Sequence, residues 1–126
     1  MPNANVETSP TITVLDVSAT LPERWGHLRL DVDYRAPTPI WIDDGRPAVI
    51  VDVSPLHLST ALATALMAWQ KHFDGHFAFD RWPHWDSKDA ERWHVVEGHR
   101  LFDKLVRALP DTQITFDIWA VDTDTP

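Results

Sequence analysis

The stretch His27-Leu28-Arg29-Leu30-Asp31-Val32-Asp33-Tyr34-Arg35 interleaves two rows of side chains. Leu28, Leu30, Val32 and Tyr34 fall on one side; His27, Arg29, Asp31, Asp33 and Arg35 fall on the other. Successive side chains of a strand point to opposite faces, so this alternation predicts a strand over residues 28–35 with one face in a core and one toward water. That is the habit of an antiparallel sheet. Upstream, residues 11–17 alternate less cleanly through Ile12, Val14, Leu15 and Val17. Downstream, Pro37 and Pro39 interrupt the strand, and two apolar runs at 40–42 and 48–53 flank Asp43-Asp44-Gly45. Asp44-Gly45 can supply the positive φ that a tight hairpin needs.

Period two then gives way to helical spacing. Ser54 and Pro55 form a helix-start signal, a capping hydroxyl before a residue whose missing N–H costs nothing at the first position. The first helix is predicted over 55–73, with Leu58, Leu62, Ala65, Leu66, Trp69 and Phe73 on one stripe and Gly75 as its left-handed stop. A second is predicted over 87–109, with Val95, Gly98, Leu101, Phe102, Leu105 and Leu109 inward and Pro110 ending it. Gly98 in mid-stripe implies a close helix crossing or strand approach. A last strand at 113–120 turns Ile114, Phe116, Ile118 and Ala120 inward and Thr115, Asp117 and Trp119 outward. The fold expected is therefore α+β, a single mainly antiparallel sheet with two helices on one face, in the order β-β-β-β-α-α-β. Residues 1–126 are read as one domain, with 1–10 and 122–126 loose.

Eleven Lys and Arg face nineteen Asp and Glu, a formal charge of −8, so the surface repels phosphate backbones and favours basic partners. Direct nucleic-acid binding is not expected. Cysteine is absent, which excludes disulfides and thiolate metal sites. The N-terminal residues lack a basic stretch followed by an apolar one, and no apolar run nears the roughly 20 residues that span a bilayer. A cytoplasmic protein with no membrane partner is expected.

Catalytic patterns are scarce. No serine lies in a Gly-x-Ser-x-Gly elbow, and four glycines provide no phosphate-binding loop. Asp43-Asp44 and Asp31-x-Asp33 are acids of the kind that turns and outer strand faces carry. The richest stretch for chemistry is His72, Asp74 and His76, with Asp80 and His84 downstream. Two imidazoles four residues apart meet on a helical face, but a helix stop at Gly75 breaks that alignment. Neither a metal nor another cofactor is expected.

Aromatic residues are abundant instead: seven tryptophans, with Trp69, Trp82, Trp85 and Trp93 close together in sequence. Trp and Tyr are enriched among the residues that carry binding energy at protein interfaces. Trp41 lies beside an acidic turn, so Asp31, Asp33, Trp41, Asp43 and Asp44 compose one candidate partner-binding surface. Trp82, Trp85 and Trp93 compose a second. Trp93 falls on the outward face of its helix with Val96, Arg100 and Arg107, although an indole gains most by folding back on the Trp82–Trp85 loop.

The later part of the chain also has a familiar order. A short strand ends in an acidic turn; Leu56-x-Leu58-Ser59 leads a helix to Trp69 and Phe73-Asp74; an aromatic linker follows. A long helix then carries Glu97-Gly98-His99-Arg100-Leu101 and Leu105, before Leu109-Pro110-Asp111 and a strand. Over residues 38–121 this resembles small acidic bacterial proteins that include immunity proteins of polymorphic toxin systems. The resemblance implies no catalytic residue. It implies a non-enzymatic binding protein whose partner is a cognate, basic toxin. The alternatives are a small metal-dependent hydrolase built on His72, Asp74, His76 and His84, and a homodimeric structural domain.

Overall fold

A computed structural model describes residues 26–43 and 48–118, together with the main chain of 14–15. The Asp44-Gly45 turn, Trp119, the two termini and most of the expected first strand lie outside these residues. The strands are β1 (Val14–Leu15), β2 (His27–Leu30), β3 (Ile40–Ile42), β4 (Ala48–Ile50), β5 (Phe77–Ala78), β6 (His84–Trp85) and β7 (Gln113–Phe116). The helices are α1 (Thr60–His76) and α2 (Lys88–Ala108). The fold is α+β, as the sequence pattern implies.

Five strands form one sheet in the order β1-β4-β3-β2-β7. Its middle pairings, β2–β3 and β3–β4, are antiparallel. Its flanking pairings, β1–β4 and β2–β7, are parallel. The second of these follows from topology, because α1 and α2 intervene before the chain returns to the sheet and such crossovers permit parallel neighbours.

Register sets the faces. Leu28 lies opposite Ile42 and Ile114, and Leu30 opposite Ile40 and Phe116. These side chains join Leu62, Leu66, Trp69 and Phe73 of α1 and Leu101 and Leu105 of α2 in one core, so both helices cover the same sheet face. Leu28, Leu30 and Val32 are buried as the alternation expects, but Asp31, on the row expected to face water, is buried too at 6% exposure, and the regular ladder ends at Leu30. Beyond it the chain turns through Tyr34 and Arg35, the latter at φ 57°, and Ala36 packs with Trp41 and Val49 on the opposite face.

Three boundaries differ from the sequence reading. Ser54–Leu56 is a single 3-10 turn closed by His57 in the left-handed region, and α1 starts only at Ser59, whose side chain accepts the Leu62 N–H at 3.1 Å. Ser54 instead turns toward Asp52, whose Oδ1 accepts both its N–H and its hydroxyl. Gly75 does not stop α1; the helix runs through it to His76, because Phe77 must pass directly into the extended, buried β5. The third difference is an addition. Residues read as linker form an antiparallel β5–β6 hairpin, with Phe77 opposite Trp85 and Ala78 opposite His84. Gly98 marks a close approach, as its position implies: a Cβ there would stand 2.8 Å from the Trp69 ring and 3.0 Å from Phe116.

Candidate partner-binding site

Two of the five residues of the first expected surface, Trp41 and Asp31, are interior. Trp41 is only 6% exposed, and its indole N–H donates to the Asp31 carbonyl at 3.1 Å. The Arg29 guanidinium lies over the Trp41 ring, 5.1 Å from its centroid. Arg29 also binds the buried Asp31 carboxylate through Nη1 and approaches Asp43 Oδ2 at 3.5 Å through Nε. Trp41 and Asp31 are thus withdrawn from solvent and not presented to a partner. Buried charge must be paired, and one arginine between two carboxylates does that here. Asp33 is half-buried; its carboxylate accepts the Tyr34 N–H and its carbonyl accepts from Gln70. Asp44 lies outside the described residues.

The second surface is differently built. On α1, Phe73 is fully buried, and Phe77, one turn on, stacks against it at 5.1 Å. Trp85, across the hairpin from Phe77, is half-buried and meets Phe77 edge-on at 5.2 Å. From α2, His94 enters between Trp69, stacked at 4.8 Å, and Trp85, also at 4.8 Å. The indole N–H of Trp69 donates to the His94 carbonyl at 2.9 Å, tying the two helices together. The hairpin is thereby anchored on its Phe77 and Trp85 side, while its tip carries Trp82, 58% exposed, with Arg81 beside the indole. Phe79 is 41% exposed and meets Tyr34 edge-on at 4.9 Å.

Ser87 caps α2 by accepting the Ala90 N–H at 3.0 Å, and the buried stripe is Ala90, His94, Gly98, Leu101 and Leu105. Gly98, Leu101 and Leu105 are buried as expected, but His94 takes the inward place expected of Val95, leaving Phe102 half-buried against Phe116 and Trp93 outward. Trp93 lays one face on His72, with centroids 4.3 Å apart, and keeps 41% of its surface exposed. Val96, three residues on, is 61% exposed. The same segments also carry exposed charged side chains: Asp80 and Arg81 in the hairpin loop, Asp86 just after β6, and Asp89 and Arg92 in the first turns of α2.

The histidines need a correction too. Since α1 continues through Gly75, His72 and His76 do share a face, with rings 4.5 Å apart. Each is engaged locally: His72 Nε2–H donates to the Ala90 carbonyl at 2.9 Å, and His76 Nδ1 is 2.8 Å from Asp86 Oδ2. Asp74 turns the other way, accepting from the Arg35 N–H and from Gln70, and His84 Nδ1 bonds the Trp82 carbonyl. The structure thus joins His72 to His76 but not Asp74 or His84 to them. Among the described residues no group of three or more His, Asp or Glu is placed to hold a metal. Burial lowers the His72 pKa, with His76 adding to the effect. His94, fully buried, is pushed down to about 4 by burial and then by His72. Neither ring nitrogen of His94 has a hydrogen-bond partner among the described residues. Sequence reasoning passed over His94, although its spacing from Ala90 and Gly98 was the available signal.

With this arrangement of sheet, hairpin and helices, residues 26–117 match the model of the Serratia CdiI immunity protein-like family. The chain belongs to that family. The match takes in β2 and the loop after it, so family likeness begins well before residue 38 and includes the alternating stretch that defines the sheet. All the elements that build the hairpin and its tryptophans lie within the matched span. Comparison with curated proteins gives no match. Among the described residues no helix is long and apolar enough to cross a membrane.

Proposed function

We propose that this chain is an immunity protein that binds and neutralises a cognate bacterial toxin in the cytoplasm. It acts by occlusion and performs no chemistry of its own. The contact surface centres on Trp82 and Trp93, with Phe79 and Val96 beside them and Asp80, Asp86 and Asp89 at the rim. One observation carries this reading. In a family of immunity-like proteins, the chain holds two large indoles out of its core on supported elements, the anchored hairpin and the first turns of α2. Exposed Trp on a rigid scaffold is the residue type that most often dominates interface energy, because it contributes much area with few rotatable bonds. The surplus of acidic residues suits a basic toxin.

The test is to express the toxin domain encoded at the same locus with and without this protein, and to measure growth and binding kinetics. Protection and a tight complex are expected. Trp82→Ala should raise the dissociation rate about tenfold or more, the scale of an interface anchor. It should leave the thermal midpoint near that of the parent, since Trp82 lies outside the core. Absence of binding and protection against every toxin at the locus removes the proposal. Binding with Trp82→Ala and Trp93→Ala both silent moves the contact elsewhere.

A further inference from the structure

Far along α2 from Trp93, the two helices part to leave a cleft of about 460 Å³ between the first turns of α1 and the last turns of α2. Ala61, Ala65 and Ala108 give it a shallow apolar floor, and Arg100, Lys104 and Arg107 form a basic wall. No Asp or Glu lines it, although acids outnumber bases nineteen to eleven in the chain.

The end of α1 adds to the same sign. A helix N-terminus carries partial positive charge and amides without intrahelical partners. The first turn of α2 answers this with Asp89 and Glu91, whereas the first turn of α1 contains no acidic residue. The Ser59 hydroxyl accepts the Leu62 N–H and its carbonyl the Ala63 N–H. Of the cations, Arg100 is held from behind by Glu97, Nε to Oε1 at 2.8 Å, and Arg107 by Asp103 at 3.0 Å. Lys104 has no carboxylate partner among the described residues.

Geometry narrows the occupant. Positions 100, 104 and 107 span seven residues of helix, about 10 Å along the axis at 1.5 Å per residue. A single phosphate reaches one or two of these cations, whereas an extended chain at roughly 3.3 Å per residue reaches all three with acidic side chains about two residues apart. The alanine floor lets a main chain lie close to the helices. We infer that this cleft binds an acidic polypeptide segment, with Lys104 and the α1 N-terminus as its principal charge contacts. The cleft shares no residue with the tryptophan surface, and the inference does not depend on the toxin reading.

The experiment uses the intact protein, amide-resolved NMR and three probes: a ten-residue peptide alternating Glu and Ala, its Lys-for-Glu counterpart, and inorganic phosphate. The Glu peptide should shift the Ala61, Ala65 and Lys104 amides saturably and more weakly as salt rises; the Lys peptide should not. Lys104→Glu should weaken binding at least tenfold. Ala61→Trp, which fills the cleft and leaves every charge in place, should do the same, with thermal melts confirming that both variants fold. No saturable shift with the Glu peptide, or equal affinity in both folded variants, overturns the inference. Phosphate shifting these amides while the Glu peptide does not assigns a small-anion site and overturns it equally.

Discussion

His94 is the residue whose chemistry is least expected from its surroundings. It is fully buried between aromatic rings, its nitrogens lack partners among the described residues, and its pKa lies at about 4 against 6.5 for an exposed histidine. The sign of the consequence is fixed. As pH falls, the unfolded chain takes up this proton first, so the stability tied to neutral His94 is complete above about pH 6.5. It declines as pH falls toward 4 and changes no further below that. The full span is worth about 3 kcal/mol, and about 2 kcal/mol is lost by pH 5. Urea unfolding at pH 7.5 and pH 5 should therefore show a smaller drop for His94→Phe than for the parent. At pH 7.5 the variant should be as stable or more so, because Phe fits a stacked site and leaves no polar atom unpaired. Equal drops for both proteins exclude His94 as the source. The residue types forming the cluster were visible in the sequence; its phase was not. His94 and Val95 point about 100° apart around the helix; apolarity favoured Val95 for the inward place, yet the stacking of Trp69 selects His94.

At the scale of elements, α1 shows how a local start signal is overridden by tertiary contacts. Ser54-Pro55 is the helix-start signal of the sequence, yet α1 is capped by Ser59, five residues on. Val53 and Leu56 are both buried in the core, and the chain satisfies them with a single 3-10 turn before reversing at His57. Ser59→Ala should accordingly cost about 1 kcal/mol in chemical denaturation, the usual worth of a helix N-cap. Ser54→Ala, at an exposed turn, should stay within about 0.5 kcal/mol. The reverse ranking restores the longer helix. Gly75 failed as a stop for a related reason. A glycine inside a helix costs about 1 kcal/mol relative to alanine, which burial of Phe77 immediately beyond it outweighs. The hairpin was unreadable because two-residue strands carry no periodicity; only its aromatic content was legible. The sheet, by contrast, was legible because a half-buried strand must alternate, and Leu28, Leu30 and Val32 do so.

Across the whole molecule, the formal charge of −8 acts on encounter before any contact forms. Raising salt from 0.1 M to 1 M shortens the screening length from about 10 Å to about 3 Å. Association with a basic toxin should then slow about tenfold or more while dissociation changes little, measurable by surface-immobilised kinetics. A salt-insensitive association rate dissociates the acidic surplus from recognition. Charge was readable from composition, but which aromatic and acidic side chains reach the surface was not, since exposure is decided by folding: Trp41 and Asp31 went inward and Trp82 outward. The parallel pairing of β2 with β7 has a consequence in time. Each residue of His27–Leu30 waits for one 86 positions later, so β2 remains an open sheet edge until the end of the matched region has been made. At roughly 5–20 residues per second, that interval lasts about 4–17 s of synthesis. A ribosome-bound fragment ending before Gln113 has every tryptophan of the proposed contact surface but an unfinished sheet. Under the proposed function, each newly made copy thus has a delay before it can bind a toxin, and only copies completed beforehand meet an incoming one.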